Sequence, residues 1–68
     1  MRHFYFHLAG TRAVEDSEGT TFLSVEEAIE QASVVAHELA KNRRAEVNGQ
    51  EIRVVDETGR EVCRIPLI

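Results

Sequence analysis

The stretch from Ser24 to Asn42 constrains this chain most, because it reads as one amphipathic helix with a single face fit for burial. Ser24 followed by Glu27 is a capping box, in which each side chain satisfies the other residue's backbone N–H. Glu26 and Glu27 sit at the positive end of the helix dipole, and Lys41, Arg43 and Arg44 suit the negative end. Val25, Ala28, Ile29, Ala32, Val35, Ala36, Leu39 and Ala40 recur at the spacing of one helical face, while Glu26, Glu30, Gln31, Ser33, His37, Glu38 and Lys41 fall mainly on the other. So many alanines on the apolar side allow a close approach to a flat partner. A helix of roughly 18 residues, about 27 Å long, therefore needs a sheet beneath it.

The flanks supply the strands. Arg2 to Ala9 alternates, with Phe4, Phe6 and Leu8 on one side and His3, Tyr5 and His7 on the other. Gly10-Thr11 can turn the chain, and Arg12 to Glu15 then reads as a second strand with Ala13 or Val14 inward. Asp16-Ser17-Glu18-Gly19 suits a type I turn closed by a glycine at positive φ, and Thr20 to Phe22 adds a short extended piece. After the helix, Asn48-Gly49 is a turn signal. Gln50 to Glu57 and Arg60 to Leu67 follow as strands joined through Asp56-Glu57-Thr58-Gly59, with Pro66 marking an edge or an end. A two-residue Thr58-Gly59 loop sets Val54 opposite Cys63 and Ile52 opposite Ile65, apolar against apolar; a bulged three-residue loop would shift that register by one. The expected architecture is a single α+β domain over residues 1–68, a mainly antiparallel β-β-α-β-β sheet with one helix on one face. Val14 to Phe22 and Val54 to Val62 share a V-x-D-x-x-G-x-x-[FV] frame, which hairpin turn chemistry explains without a duplication.

Composition narrows the function classes. A formal charge of −4 argues against general affinity for nucleic acid. One cysteine allows no internal disulfide and fits a reducing compartment. The apolar runs are too short for a membrane span and the start lacks a signal-peptide pattern, so the expected location is cytoplasmic. His3 and His7 lie about 13 Å apart along a strand, too far to share a metal ion. An N-terminal amine with the amides of Arg2 and His3 and the His3 ring could chelate Cu(II) or Ni(II), in competition with forming the first strand. Ser24 is an N-cap rather than a nucleophile, since no His–acid pair is placed beside it. Glu15, Asp16 and Glu18 lack the EF-hand ligand spacing. Cys63 alternates with Ile65 and Leu67 and reads as a small buried hydrophobe. No nucleotide-binding, zinc-protease or nucleophile-elbow motif is present. The chain is thus expected to be non-catalytic, without catalytic, cofactor-binding or metal residues and without a cofactor.

What remains is a surface. Opposite the helix the sheet is expected to present His3, Tyr5, His7, Arg53, Val55, Val62 and Arg64, an aromatic, basic and aliphatic mixture with few acids. Such a face can dock a protein partner or a second copy. An aromatic flanked by two arginines can also stack bases and touch phosphates. Net acidity and a single exposed aromatic favour protein contact over nucleic acid, with no membrane and no small-molecule substrate indicated.

The order of the motifs also carries a resemblance. His3-Phe4-Tyr5-Phe6-His7-Leu8, Asp16-Ser17-Glu18-Gly19, Ser24-Val25-Glu26-Glu27-Ala28, Asp56-Glu57-Thr58-Gly59-Arg60 and Ile65-Pro66-Leu67 together resemble a family of short bacterial proteins of unknown function. That resemblance spans nearly the whole chain and implies a β-β-α-β-β domain, without implying an activity, a cofactor or functional residues. Cys63 and Ile65 depart from its more regular aliphatics. The first 42 or so residues are also similar to the N-terminal part of HicB-type antitoxins, through Asp16 to Gly19 and Glu26-Glu27-Ala28, though the proline-rich segment before the helix is missing. That likeness implies a regulatory module that binds an RNA-cleaving toxin. The leading expectation is an interaction module, with a homodimer through the sheet face as one form. A nucleic-acid-binding or antitoxin-type module is the alternative.

Overall fold

The computed structural model describes residues 1–11, 13–42 and 49–67. Strands β1 (Arg2–Ala9) and β2 (Thr20–Phe22) precede helix α1 (Val25–Asn42), and β3 (Glu51–Asp56) and β4 (Glu61–Pro66) follow it. The four strands form one antiparallel sheet in the order β2-β1-β3-β4. Arg12, Arg43, Arg44 and Asn48, which figured in the expected second strand, the end of the helix and a turn, lie outside the described residues. No helix among the described residues is long and apolar enough to cross a membrane.

The helix starts as its sequence directs, with one difference. The Glu27 amide donates to Ser24 Oγ at 3.2 Å, but the Glu27 carboxylate accepts from the Leu23 amide at 2.9 Å, one residue earlier than in the reciprocal capping box. Ala28, Ala32 and Ala36 form the fully buried seam. With no side chain beyond Cβ, they let the helix axis settle close to the sheet, and Val25, Val35, Leu39 and Ala40 pack around them. From the sheet come Phe4, Phe22, Ile52, Val54 and Leu67, with Phe6, Leu8, Cys63 and Ile65 at the margin. Phe22 packs against both phenylalanines of β1, its ring centroid 6.0 Å from Phe4 and 5.7 Å from Phe6.

One expectation about this edge of the sheet needs correction. Of the expected second strand, the described residues Ala13 to Glu15 form no strand: Val14 makes a single bridge to Leu8, exchanging 2.9 Å hydrogen bonds, and both Ala13 and Val14 are exposed. The partner of β1 is Thr20–Phe22, in the register Arg2↔Phe22 to Phe4↔Thr20. Asp16 is the cause. Its Oδ2 accepts the Phe6 amide at 3.2 Å, where the next ladder carbonyl would sit, and its Oδ1 accepts the Glu18 and Gly19 amides. A short polar side chain thereby replaces backbone pairing, and the segment 13–19 becomes an excursion strapped along the outer edge of β1.

The β3–β4 hairpin contains both of the alternatives weighed from sequence. Asp56 donates its amide to the Arg60 carbonyl and accepts from the Gly59 amide, so the loop is the three-residue Glu57-Thr58-Gly59, with Gly59 at φ +87°. Yet Ile52↔Ile65 and Val54↔Cys63 pair as the two-residue loop would require. A bulge reconciles the two: Val55 pairs with Glu61, so Val62 is the extra residue on β4 and the downstream register is restored. Pro66 ends a strand at the sheet edge, and the Leu67 amide carries the pairing one step further by donating to Gln50 O.

Candidate interaction face

Alternation along β1 sends Phe4, Phe6 and Leu8 toward α1 and leaves His3, Tyr5 and His7 on the opposite face. Cross-strand register places Val55 beside Tyr5 and Arg53 beside His7, with Arg64 beyond Arg53 on β4. Six of the seven expected residues therefore share one side of the sheet. Val62 does not: it packs against the core on the helix side. The bulge is the physical reason, since the extra residue inverts the alternation at that point and gives Glu61 the place Val62 was expected to hold.

That exchange changes the electrostatics of the face. Arg53 and Arg64 are direct cross-strand neighbours, a repulsive arrangement on its own. Glu61 resolves it by accepting from Arg53 Nε and Arg64 Nε at 2.7 Å each, and Glu51 accepts from Arg64 Nη1 at 2.7 Å. The two guanidiniums beside it, Arg64 first, hold the Glu61 carboxyl below its ordinary range, and Glu61 in turn raises Arg64. The face is therefore balanced in charge, not basic with few acids.

The aromatic strip is ordered as well. Tyr5 stacks on His7 with ring centroids 6.1 Å apart and planes within 8°, and meets His3 edge-on at 5.0 Å. Both imidazoles are bound to the 13–19 excursion: His3 Nε2 lies 2.7 Å from the Glu18 carbonyl, and His7 Nδ1 accepts the Asp16 amide at 3.0 Å. The His3 amide donates to Glu57 Oε2 at 3.0 Å, so an N-terminal copper or nickel chelate would have to break that bond and part of β1. Among the described residues no group of three or more His, Cys, Asp or Glu side chains is placed to hold a metal ion.

The face is a trough and not a plane. His7, Arg53 and Val55 line a groove of about 510 Å³, with Ala13 and Glu15 of the excursion on one side and Gly59 of the hairpin at one end. Val55 is only 7 % exposed although it faces away from the helix. Beyond the end of the β1–β2 ladder, Leu23 is 72 % and Met1 84 % exposed. Cys63, on the helix side, is half-buried, and burial followed by the nearby Glu61 charge pushes its thiol up, away from the reactive thiolate.

Sequence reasoning missed Glu61 and Glu51 as members of this face, and the role of Asp16 in fastening its border. The signal for Glu61 was the Asp56-x-x-Gly59 spacing, which suits a three-residue loop and hence a later compensating bulge. For Asp16 there was none beyond the turn motif, because its Phe6 partner is ten residues away.

A family model described as a domain of unknown function, DUF6894, matches residues 3–68. No curated protein and no solved structure matches the chain.

Proposed function

Since the chain belongs to the DUF6894 family of unknown function, we propose from its surface that it is a non-catalytic interaction module of the cytoplasm that docks protein through the sheet face opposite α1, in its simplest form a second copy of itself. The observation that supports this is the uncovered face itself: a stacked Tyr5–His7 pair, a buried Val55 floor, and a charge network closed by Glu61. Internally neutralised charge and an aromatic centre suit protein contact, where aromatic anchors carry most of the energy. Nucleic acid would instead need arginines available to phosphates, and both arginines of this face are engaged by Glu61 on a chain of net charge −4.

Size bounds the strength of such docking. Four strands at about 4.8 Å spacing and six residues at about 3.3 Å give a face of roughly 400 Å², half of the roughly 800 Å² per partner in a stable complex. Association through it is weak and concentration-dependent. Amide spectra recorded from about 1 μM to about 1 mM protein should shift at Tyr5, His7, Arg53 and Val55 and leave the outer helix residues Glu30 and Val34 still. Shifts confined to the helix would overturn the assignment of the face.

A further inference from the structure

We propose that His7 is a proton-sensitive latch that fastens the 13–19 excursion to β1 while neutral and releases it when protonated. His7 Nδ1 accepts the Asp16 amide at 3.0 Å, so the neutral ring carries its proton on Nε2. With Nε2 already carrying a proton, a second proton on the His7 ring can go only to Nδ1. There it faces an N–H donor, and the hydrogen bond is lost.

The surrounding groups make the change one-sided. His3 Nε2 lies 2.7 Å from the Glu18 carbonyl, which can only accept, so this ring donates through Nε2 and keeps its bond when Nδ1 is protonated. Arg53 stands directly across from His7 on β3, and a second positive charge there is repulsive even with Glu61 bound to Arg53. Glu15, beside the same groove, and the Asp16 carboxylate attract an imidazolium. Asp16 already accepts the Phe6 amide on Oδ2 and the Glu18 and Gly19 amides on Oδ1, and a new N–H from His7 onto Oδ2 would still leave the Asp16 amide without its acceptor. Tyr5 stacks on the ring whichever charge it carries. Among the described residues, one backbone bridge, Leu8↔Val14, also fastens the excursion to β1.

Ala13 and Glu15 wall the groove, so release of the latch widens it; that consequence for docking rests on the function proposed above, whereas the latch itself stands on its hydrogen bonds. The test is nitrogen-15 NMR of the wild type, His7→Asn and His7→Phe at pH about 7.5 and about 5. Asn offers an oxygen near the position of Nδ1 without titrating, and Phe keeps the ring without an acceptor. In the wild type the Asp16 and Val14 amides should lose about five-fold or more of their exchange protection at the lower pH, the loss typical of one hydrogen bond. His7→Asn should stay protected at both pH values, and His7→Phe unprotected at both. Equal protection of the wild type at the two pH values, a loss of the same size in His7→Asn, or a neutral His7 ring protonated on Nδ1 would each overturn the latch. A lost pH response at the latch with unchanged concentration-dependent shifts would leave the docking face intact, and the reverse would leave the latch intact.

Discussion

Gly19 and Gly59 occupy the same place in two D-x-x-G turns, at φ +69° and +87°, yet a methyl group would meet different surroundings at each. A Cβ on Gly59 meets nothing within 4 Å, so Gly59→Ala carries only the left-handed backbone cost of about 1–2 kcal/mol. A Cβ on Gly19 would lie 2.7 Å from the Phe4 carbonyl oxygen and 2.5 Å from His3 Nε2, inside the β1 edge, which adds roughly 1–3 kcal/mol. Urea unfolding of the two variants should show Gly19→Ala as clearly the less stable; equal midpoints would mean that the excursion does not press on β1. The two aspartates divide in the same way. Asp56 Oδ1 accepts the Thr58 hydroxyl and the Thr58 and Arg60 amides within its own hairpin, and its Oδ2 meets β1 only through the Arg2 side chain at 3.4 Å, whereas Asp16 takes a backbone amide of β1, that of Phe6. Turn chemistry was legible at both sites because it is local. The contact from Asp16 to β1 was not, because nothing in a D-x-E-G motif names its distant donor.

At the scale of elements, α1 was legible almost to the residue, since capping, dipole complementarity and the apolar period all point the same way. Ser24→Ala should cost about 1 kcal/mol by exposing the Glu27 amide, and thermal unfolding followed by circular dichroism would read it. A Glu27→Gln exchange, which retains an acceptor for Leu23, should cost less. A cost for Ser24→Ala no larger than that of an exposed Ala substitution would contradict the cap. The strands were legible wherever their pattern alternates over several residues, as in β1, β3 and β4. The short β2 was harder to read, because three residues carry little periodicity, and its place beside β1 is decided by burial of Phe22 between Phe4 and Phe6. The Val62 bulge shows how one inserted residue can exchange a valine and a glutamate between the faces of a sheet without changing any core pair downstream.

For the whole molecule, a chain of this length buries only about 60 % of its unfolded surface, so polar fastenings weigh heavily. Among the described residues four carboxyls are held below their ordinary values: Asp16 first by the Gly19 amide, Asp56 by the Thr58 hydroxyl, Glu57 by the His3 amide and Glu61 by Arg64. A lowered folded-state pKa means stability that is present above the unfolded values of 3.8 for Asp and 4.5 for Glu and lost as pH falls through the depressed ones. The midpoint of urea unfolding should therefore decline steadily below about pH 4.5. A midpoint unchanged down to about pH 2.5 would show that these carboxyls gain nothing on folding. The balanced charge of the sheet face has the opposite scale of consequence, since it leaves shape and aromatic surface to set any partner. Sedimentation equilibrium of the wild type and Tyr5→Glu, from about 1 μM to about 1 mM, tests that claim most directly. Tyr5 sits half-buried at the centre of the face opposite α1, and Val62, packed against the core, would report on folding instead. The expected result is a wild-type mass that rises above the 7.7 kDa monomer with concentration and a Tyr5→Glu mass that does not. A wild-type chain that stays at monomer mass throughout, or a variant that associates equally, would contradict self-association through this face.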